Sequence, residues 1–140
     1  VHFKASQPGK VTFTTSMQTP HDNPLVGITA LTSFSPSNEG RAAECSTRKG
    51  SGCAVFLHGV TGKHEGLKSM VRFMGLMAVQ ANGGTVSEAA GQLSVVAADD
   101  ATLFITVGTN VINYKDVSGN EQTQAKQRLT NAMSLSYDSL

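Results

Sequence analysis

The chain has 140 residues, a net charge of +1 and only 15% charged residues, which is about one domain by length. The balance excludes a nucleic-acid binder built on a basic stripe, since such affinity comes from counterion release, and no apolar run approaches the roughly 20 residues of a spanning helix. Abundant Ser and Thr, six Phe, two Tyr and no Trp suit a β-rich domain of extracellular style.

The chain opens at Val1 with neither an initiator Met nor a charged-then-apolar leader, so a processed or excised polypeptide is expected. Val1–Ala5 reads as extended. Gln7-Pro8-Gly9-Lys10 has the chemistry of a β-turn, with Pro presetting φ and Gly supplying a positive one. Lys10–Gln18 then alternates, with Val11, Phe13, Thr15 and Met17 on one face and Thr12, Thr14 and Ser16 on the other. This is a half-buried strand, and pairing with the preceding segment would make a hairpin.

Patterning breaks down over residues 19–53, where Pro20, Pro24 and Pro36 fall among many Ser, Asn and Gly. Leu25–Leu31 offers one short strand, and the rest reads as an irregular loop, functional or disordered. Within it, Pro20-His21-Asp22-Asn23-Pro24 could turn His21 and Asn23 toward a sugar, or be a solvated loop. Cys45 and Cys53 could close a short disulfide loop in an exported protein, or stay reduced. With His58 and His64 they match no zinc-ligand spacing.

Ala54–Val60 resumes as a strand bent at Gly59, and Gly62–Gly66 turns the chain. Met70–Gln80 is apolar on both parities, with Val71, Phe73, Met77 and Val79 against Met74, Leu76 and Ala78. Such a strand is buried on both faces and is expected at the centre of two packed sheets. Asn82-Gly83-Gly84 is a tight turn into a short alternating segment. Gly91 precedes a strand at Gln92–Ala97, and Asp99-Asp100 turns the chain into Ala101–Gly108. Asp99 and Asp100 could be named a carboxylate pair for acid–base work, but neighbours in a strand point to opposite faces, so a turn pair is expected. Ser46 and His58 lack the strand–turn–helix context of a nucleophile elbow.

After Asp116 the period changes. Ser118-Gly119-Asn120-Glu121 fits a capping box, and Ala125, Leu129, Met133 and Tyr137 recur every four residues. One amphipathic helix of roughly five turns near residues 119–137 is expected. The domain reading is a β-sandwich over 1–117 and a helix over 118–140 leading toward a linker. The fold class is mainly β, an antiparallel sandwich with one C-terminal helix.

A group of these residues carries a family likeness. Gly83-Gly84-Thr85-Val86, Leu93, Val95, Ala98-Asp99, Ala101-Thr102-Leu103, Ile105, Gly108-Thr109-Asn110 and Tyr114-Lys115-Asp116-Val117-Ser118-Gly119-Asn120 stand in one continuous pattern. A helix then ends at Ser136-Tyr137-Asp138-Ser139-Leu140. Together with Phe3-Lys4-Ala5, Pro8-Gly9-Lys10-Val11 and Val71–Val79, this resembles the N-terminal β-sandwich domain of glycoside hydrolase family 95, bacterial α-L-fucosidases and related α-galactosidases.

The resemblance implies a super-sandwich whose first strands precede Val1, then a helical linker and an (α/α)6 catalytic barrel. It implies inverting chemistry seated in that barrel, with its two carboxyl groups set apart to admit a water. No catalytic residue, cofactor or metal ligand carries over to this chain. The implied partners are the barrel of the same polypeptide and, through it, a glycan, in an exported periplasmic or extracellular protein. Tyr137, at the helix end nearest the barrel, is the expected docking residue. The other reading is a free-standing carbohydrate-binding or adhesion module. It is disfavoured because such modules stack sugars on exposed aromatics, which are scarce here.

Overall fold

The computed structural model describes residues 1–20, 25–30, 53–62, 65–135 and 137, with the backbone alone at 25–30 and 53. Eight strands and one helix follow in order. They are β1 (His2–Lys4), β2 (Val11–Ser16), β3 (Leu25–Ala30), β4 (Cys53–Val60), β5 (Arg72–Asn82), β6 (Thr85–Ala89), β7 (Gln92–Ala98), β8 (Asp100–Thr109) and α1 (Glu121–Met133). The large sheet has the order β1-β8-β5-β4-β3 and the small one β2-β7-β6. Every pairing of strands is antiparallel. The fold is an antiparallel β-sandwich with one C-terminal helix.

The large sheet is the middle of three layers. Period-2 alternation sends successive residues to opposite faces. One face, with Val55, Met77, Val79, Ala101 and Leu103, packs on Val11, Leu93 and Val95 of the small sheet. The other face, with Ala54, Met74, Leu76, Ala78 and Phe104, packs on Ala125 and Leu129 of α1. The two-faced apolarity of β5 is thereby explained, though its expected setting needs correction. A second sheet covers one face of β5, and the helix covers the other. The helix comes close because Gly108 lets it: a Cβ there would lie 2.2 Å from the Glu121 carbonyl oxygen and 2.7 Å from the Ala125 nitrogen.

The expected hairpin of Val1–Ala5 with Lys10–Gln18 does not form. β1 pairs with Asp100–Thr102 in the large sheet, and β2 pairs with β7 in the small one. The Gln7–Gly9 turn is a crossing between layers, and so are the β5–β6 and β7–β8 corners. Asp99 joins all three. Its carboxylate accepts the Gly9 N–H at 2.8 Å, and its own N–H donates to the Asn82 carbonyl at 2.8 Å. Gly84, with φ 63°, completes the corner where a Cβ would meet the Val96 carbonyl oxygen at 2.3 Å.

The helix departs from expectation at both ends. Its N-cap is Asn120, whose Oδ1 accepts the Thr123 N–H at 2.8 Å. Ser118 is not the cap; its N–H is held by Asp116 Oδ1 at 2.9 Å. Glu121 does not reach back as a capping box requires, because its carboxylate is drawn into the protein. The helix has 13 residues and ends at Met133, so it is shorter than the five turns expected.

Candidate functional site

Where β4 ends, β5 begins and β8 ends, residues 65–71 meet the loop at 110–120. Asn110 fixes them together. It is fully buried, and its amide Oδ1 accepts the Arg72 N–H at 2.8 Å. Its Nδ2 donates to the carbonyls of Met70 at 3.0 Å and Val117 at 2.7 Å. The Asn110 backbone adds a bond to Arg72 and accepts one from Gly119. The side chain is thus almost fully satisfied, as a buried amide must be.

Behind Asn110 lies the charged part of this end. The Glu121 carboxylate accepts from Arg72 Nε at 3.1 and 3.3 Å and lies 3.1 Å from His58 Nε2. These contacts tie the first turn of α1 to β5 and β4. Burial is the largest single influence on Glu121 and would raise its pKa. Its own backbone amide, Arg72 and His58 together outweigh that and hold the carboxyl below its ordinary range. A carboxylate so paired is a poor proton carrier near neutral pH. Its role is to dock the helix.

In front of Asn110 the loops are apolar and open to solvent, with Val60, Leu67, Met70, Ile112 and Tyr114 all exposed. Tyr114 stands on a tight turn in which Asn113 and Asp116 bridge through their backbones. Asn113 Oδ1 accepts the Lys115 N–H at 2.9 Å, and Asp116 Oδ1 caps Ser118. Hydrogen bonds from the Ser118 side chain and backbone, in that order, hold Asp116 below the usual carboxylate range. Tyr114 is 90% exposed on this braced turn, with Lys115 Nζ 5.1 Å from its ring centroid. This end of the sandwich therefore carries exposed apolar side chains.

The residues singled out from the sequence fare differently. His21, Asn23, Cys45, Ser46 and His64 lie outside the described residues. Cys53 opens β4 opposite Ala30, and only its backbone is described. His58, weighed as a metal ligand and a triad member, is Glu121's partner. Asp99 and Asp100 form a corner: Asp99 holds Gly9, while Asp100 Oδ2 accepts from Asn82 Nδ2 at 3.3 Å. Tyr137 stacks on His2 with ring centroids 4.6 Å apart and leaves half its surface open. His2 in turn bonds Thr102 at 2.9 Å.

Sequence reasoning missed the Glu121–Arg72–His58 group and Asn110. One signal was present: the stripe Ala125, Leu129, Met133 extended back by one turn lands on Glu121, a carboxylate on the buried face. Among the described residues no group of three His, Cys, Asp or Glu side chains could hold a metal ion, and no helix is long and apolar enough to cross a membrane. No family model matches the chain, and no curated protein matches it significantly.

Proposed function

We propose that this chain is a non-catalytic β-domain of an exported bacterial glycoside hydrolase, of the α-L-fucosidase type, supporting the catalytic domain and the rim of its active site. The observation that carries the reading is the apolar loop end. Leu67, Met70, Ile112 and Tyr114 are exposed, yet the backbone behind them is fixed by a buried, bonded Asn110. A rigid hydrophobic surface of this kind loses little conformational freedom when it is covered. That suits a permanent contact with a neighbouring domain. The well-placed carboxylates of Asp99 and Glu121 serve corners and helix docking, which fits a supporting role. The likeness of the 83–120 stretch to family 95 supplies the type of partner. The open half of Tyr137, at the far end of α1, is available to the same partner.

Sequencing the reading frame downstream of Leu140 tests this directly. A region of several hundred residues patterned as paired helices is the expected result. A stop codon within a few residues of Leu140, or a following domain of another kind, overturns it.

One observation favours a second reading, a free-standing carbohydrate-binding module: the braced and open ring of Tyr114, which could stack on a pyranose face. Binding of neutral oligosaccharides by the 140-residue chain, abolished by Tyr114→Ala, would select that reading over the first.

A further inference from the structure

Asn82 ends β5 and is the one asparagine in the sequence that is followed by glycine. Asn82, Gly83 and Gly84 are all exposed, at the corner where the chain leaves the large sheet for the small one. Both glycines have positive φ, 70° and 63°, and neither carries a Cβ to shield the backbone. The Gly83 N–H has no hydrogen-bond partner among the described residues. The Asn82 side chain is held by one exposed bond, from Nδ2 to Asp100 Oδ2 at 3.3 Å. A carboxamide and the amide nitrogen that follows it in the chain are thus both open to water.

These groups are the reactants of succinimide formation. The Gly83 nitrogen gives up its proton to hydroxide and bonds to Asn82 Cγ, and the Cγ–Nδ2 bond breaks with release of ammonia. Water then opens the ring. Opening at the side-chain carbonyl gives aspartate, and opening at the main-chain carbonyl gives isoaspartate. The net change is one water consumed and one ammonia released, with nothing oxidised or reduced. The surroundings make the products matter. Aspartate exchanges a donor to Asp100 for a like charge. Asp99 is close by, since a Cβ on Gly83 would lie 3.0 Å from its Oδ2. Isoaspartate lengthens the path to Gly83 by one methylene. The Asn82 carbonyl that accepts the Asp99 N–H at 2.8 Å then becomes a carboxylate at the same corner.

We propose that Asn82 is a site of spontaneous deamidation in the folded protein, and that its aspartate and isoaspartate forms loosen the corner joining the two sheets. Ammonia is lost to solvent, so the change runs one way and its extent records the age of the molecule. Other asparagines are placed differently. Asn110 is fully buried and bonded on both ends of its amide. Asn120 accepts the Thr123 N–H as the helix cap. Asn113 is followed by Tyr114, whose side chain crowds the attacking nitrogen as a glycine does not.

The test ages the purified 140-residue chain in mildly alkaline buffer at body temperature, folded and, in parallel, unfolded in urea. Peptide mass mapping reads the replacement of an amide NH2 by OH, and chromatography separates the aspartate and isoaspartate peptides. In the folded chain Asn82 should react ahead of every other asparagine, at a rate within about tenfold of the unfolded chain, because no large opening is needed to reach it. Material carrying either product should unfold at a temperature lower by about 2–4 °C. Asn82→Asp should reproduce the aspartate part of that shift without ageing. Asn82→Ser, which has no carboxamide, should keep its unfolding temperature through the same incubation. An Asn82 that stays amidated in the folded chain while it reacts in urea overturns the proposed site. Deamidated protein that unfolds at the temperature of the fresh chain overturns the proposed effect on the corner.

Discussion

Three residues each fix a place where elements meet, and each gives a measurable expectation. Asn110 matches three backbone groups of two loops. Unmatched buried groups cost about 1–3 kcal/mol each, so Asn110→Ala should lose roughly 3 kcal/mol or more in urea unfolding. Gly108→Ala pushes a methyl into the backbone of α1, and a helix backbone yields less than a side-chain tip. The loss should exceed the ~1–3 kcal/mol of ordinary overpacking. Glu121 has a folded pKa held below its reference value of 4.5, so the folded state binds fewer protons than the unfolded chain in that range. Its contribution is fully present above about pH 4.5 and is lost as pH falls through the lower, folded value. The stability difference between the native chain and Glu121→Gln should therefore hold steady above pH about 5 and shrink as pH falls below 4.5. A difference that widens on acidification would contradict the assignment. Little of this shows in a linear pattern: Arg72, which both Asn110 and Glu121 bond, lies tens of residues from either.

At the scale of the element, α1 was legible as a helix because Ala125, Leu129 and Met133 repeat at its period. Its boundaries were not. Ser118 and Asn120 are equally good caps in isolation, and the choice falls to Asn120 because His58 and Arg72 capture Glu121. The strands were legible from alternation and Gly-rich turns, β5 most clearly, since its two apolar parities matched two covered faces. The partners of β1 and β2 were not, because a turn sequence such as Gln7–Lys10 serves a hairpin or a change of layer equally well. What decides is Asp99, 90 residues away from Gly9. The packing of α1 separates two positions of its stripe. Leu129 is fully buried among Met74, Leu76 and Phe104, and Leu129→Ala should cost about 2–5 kcal/mol. Tyr137 is half open on the ring of His2, and Tyr137→Ala should cost about 1 kcal/mol or less. Equal losses in thermal unfolding would mean that Tyr137 belongs to the core and is no docking residue.

For the molecule as a whole, the fold class follows from patterning alone: period 2 through Gly108, period 3.6 after Asn120, and a middle layer apolar on both sides. The candidate site was less legible, because an exposed apolar surface is defined by what remains uncovered after folding. On the proposed reading the purified chain should show no turnover of aryl α-L-fucosides or α-galactosides above buffer. Activity that survives repurification would overturn the supporting role.

The Asp99 corner also governs the order in which the protein can be made. β1 waits for β8, and β2 waits for β7, so both leave the ribosome unpaired until residues near 100 have followed them. Both sheets close through contacts 80 to 100 residues apart, and ordering so long a loop before any reward makes folding slow, in the range of milliseconds to seconds. During synthesis β2, with Val11 and Phe13, is thus a nascent strand without a mate. Pulse-labelling of ribosome-stalled chains should find Val11 to Ser16 open until the stall point passes Thr109 and its exit distance, then protected in one step.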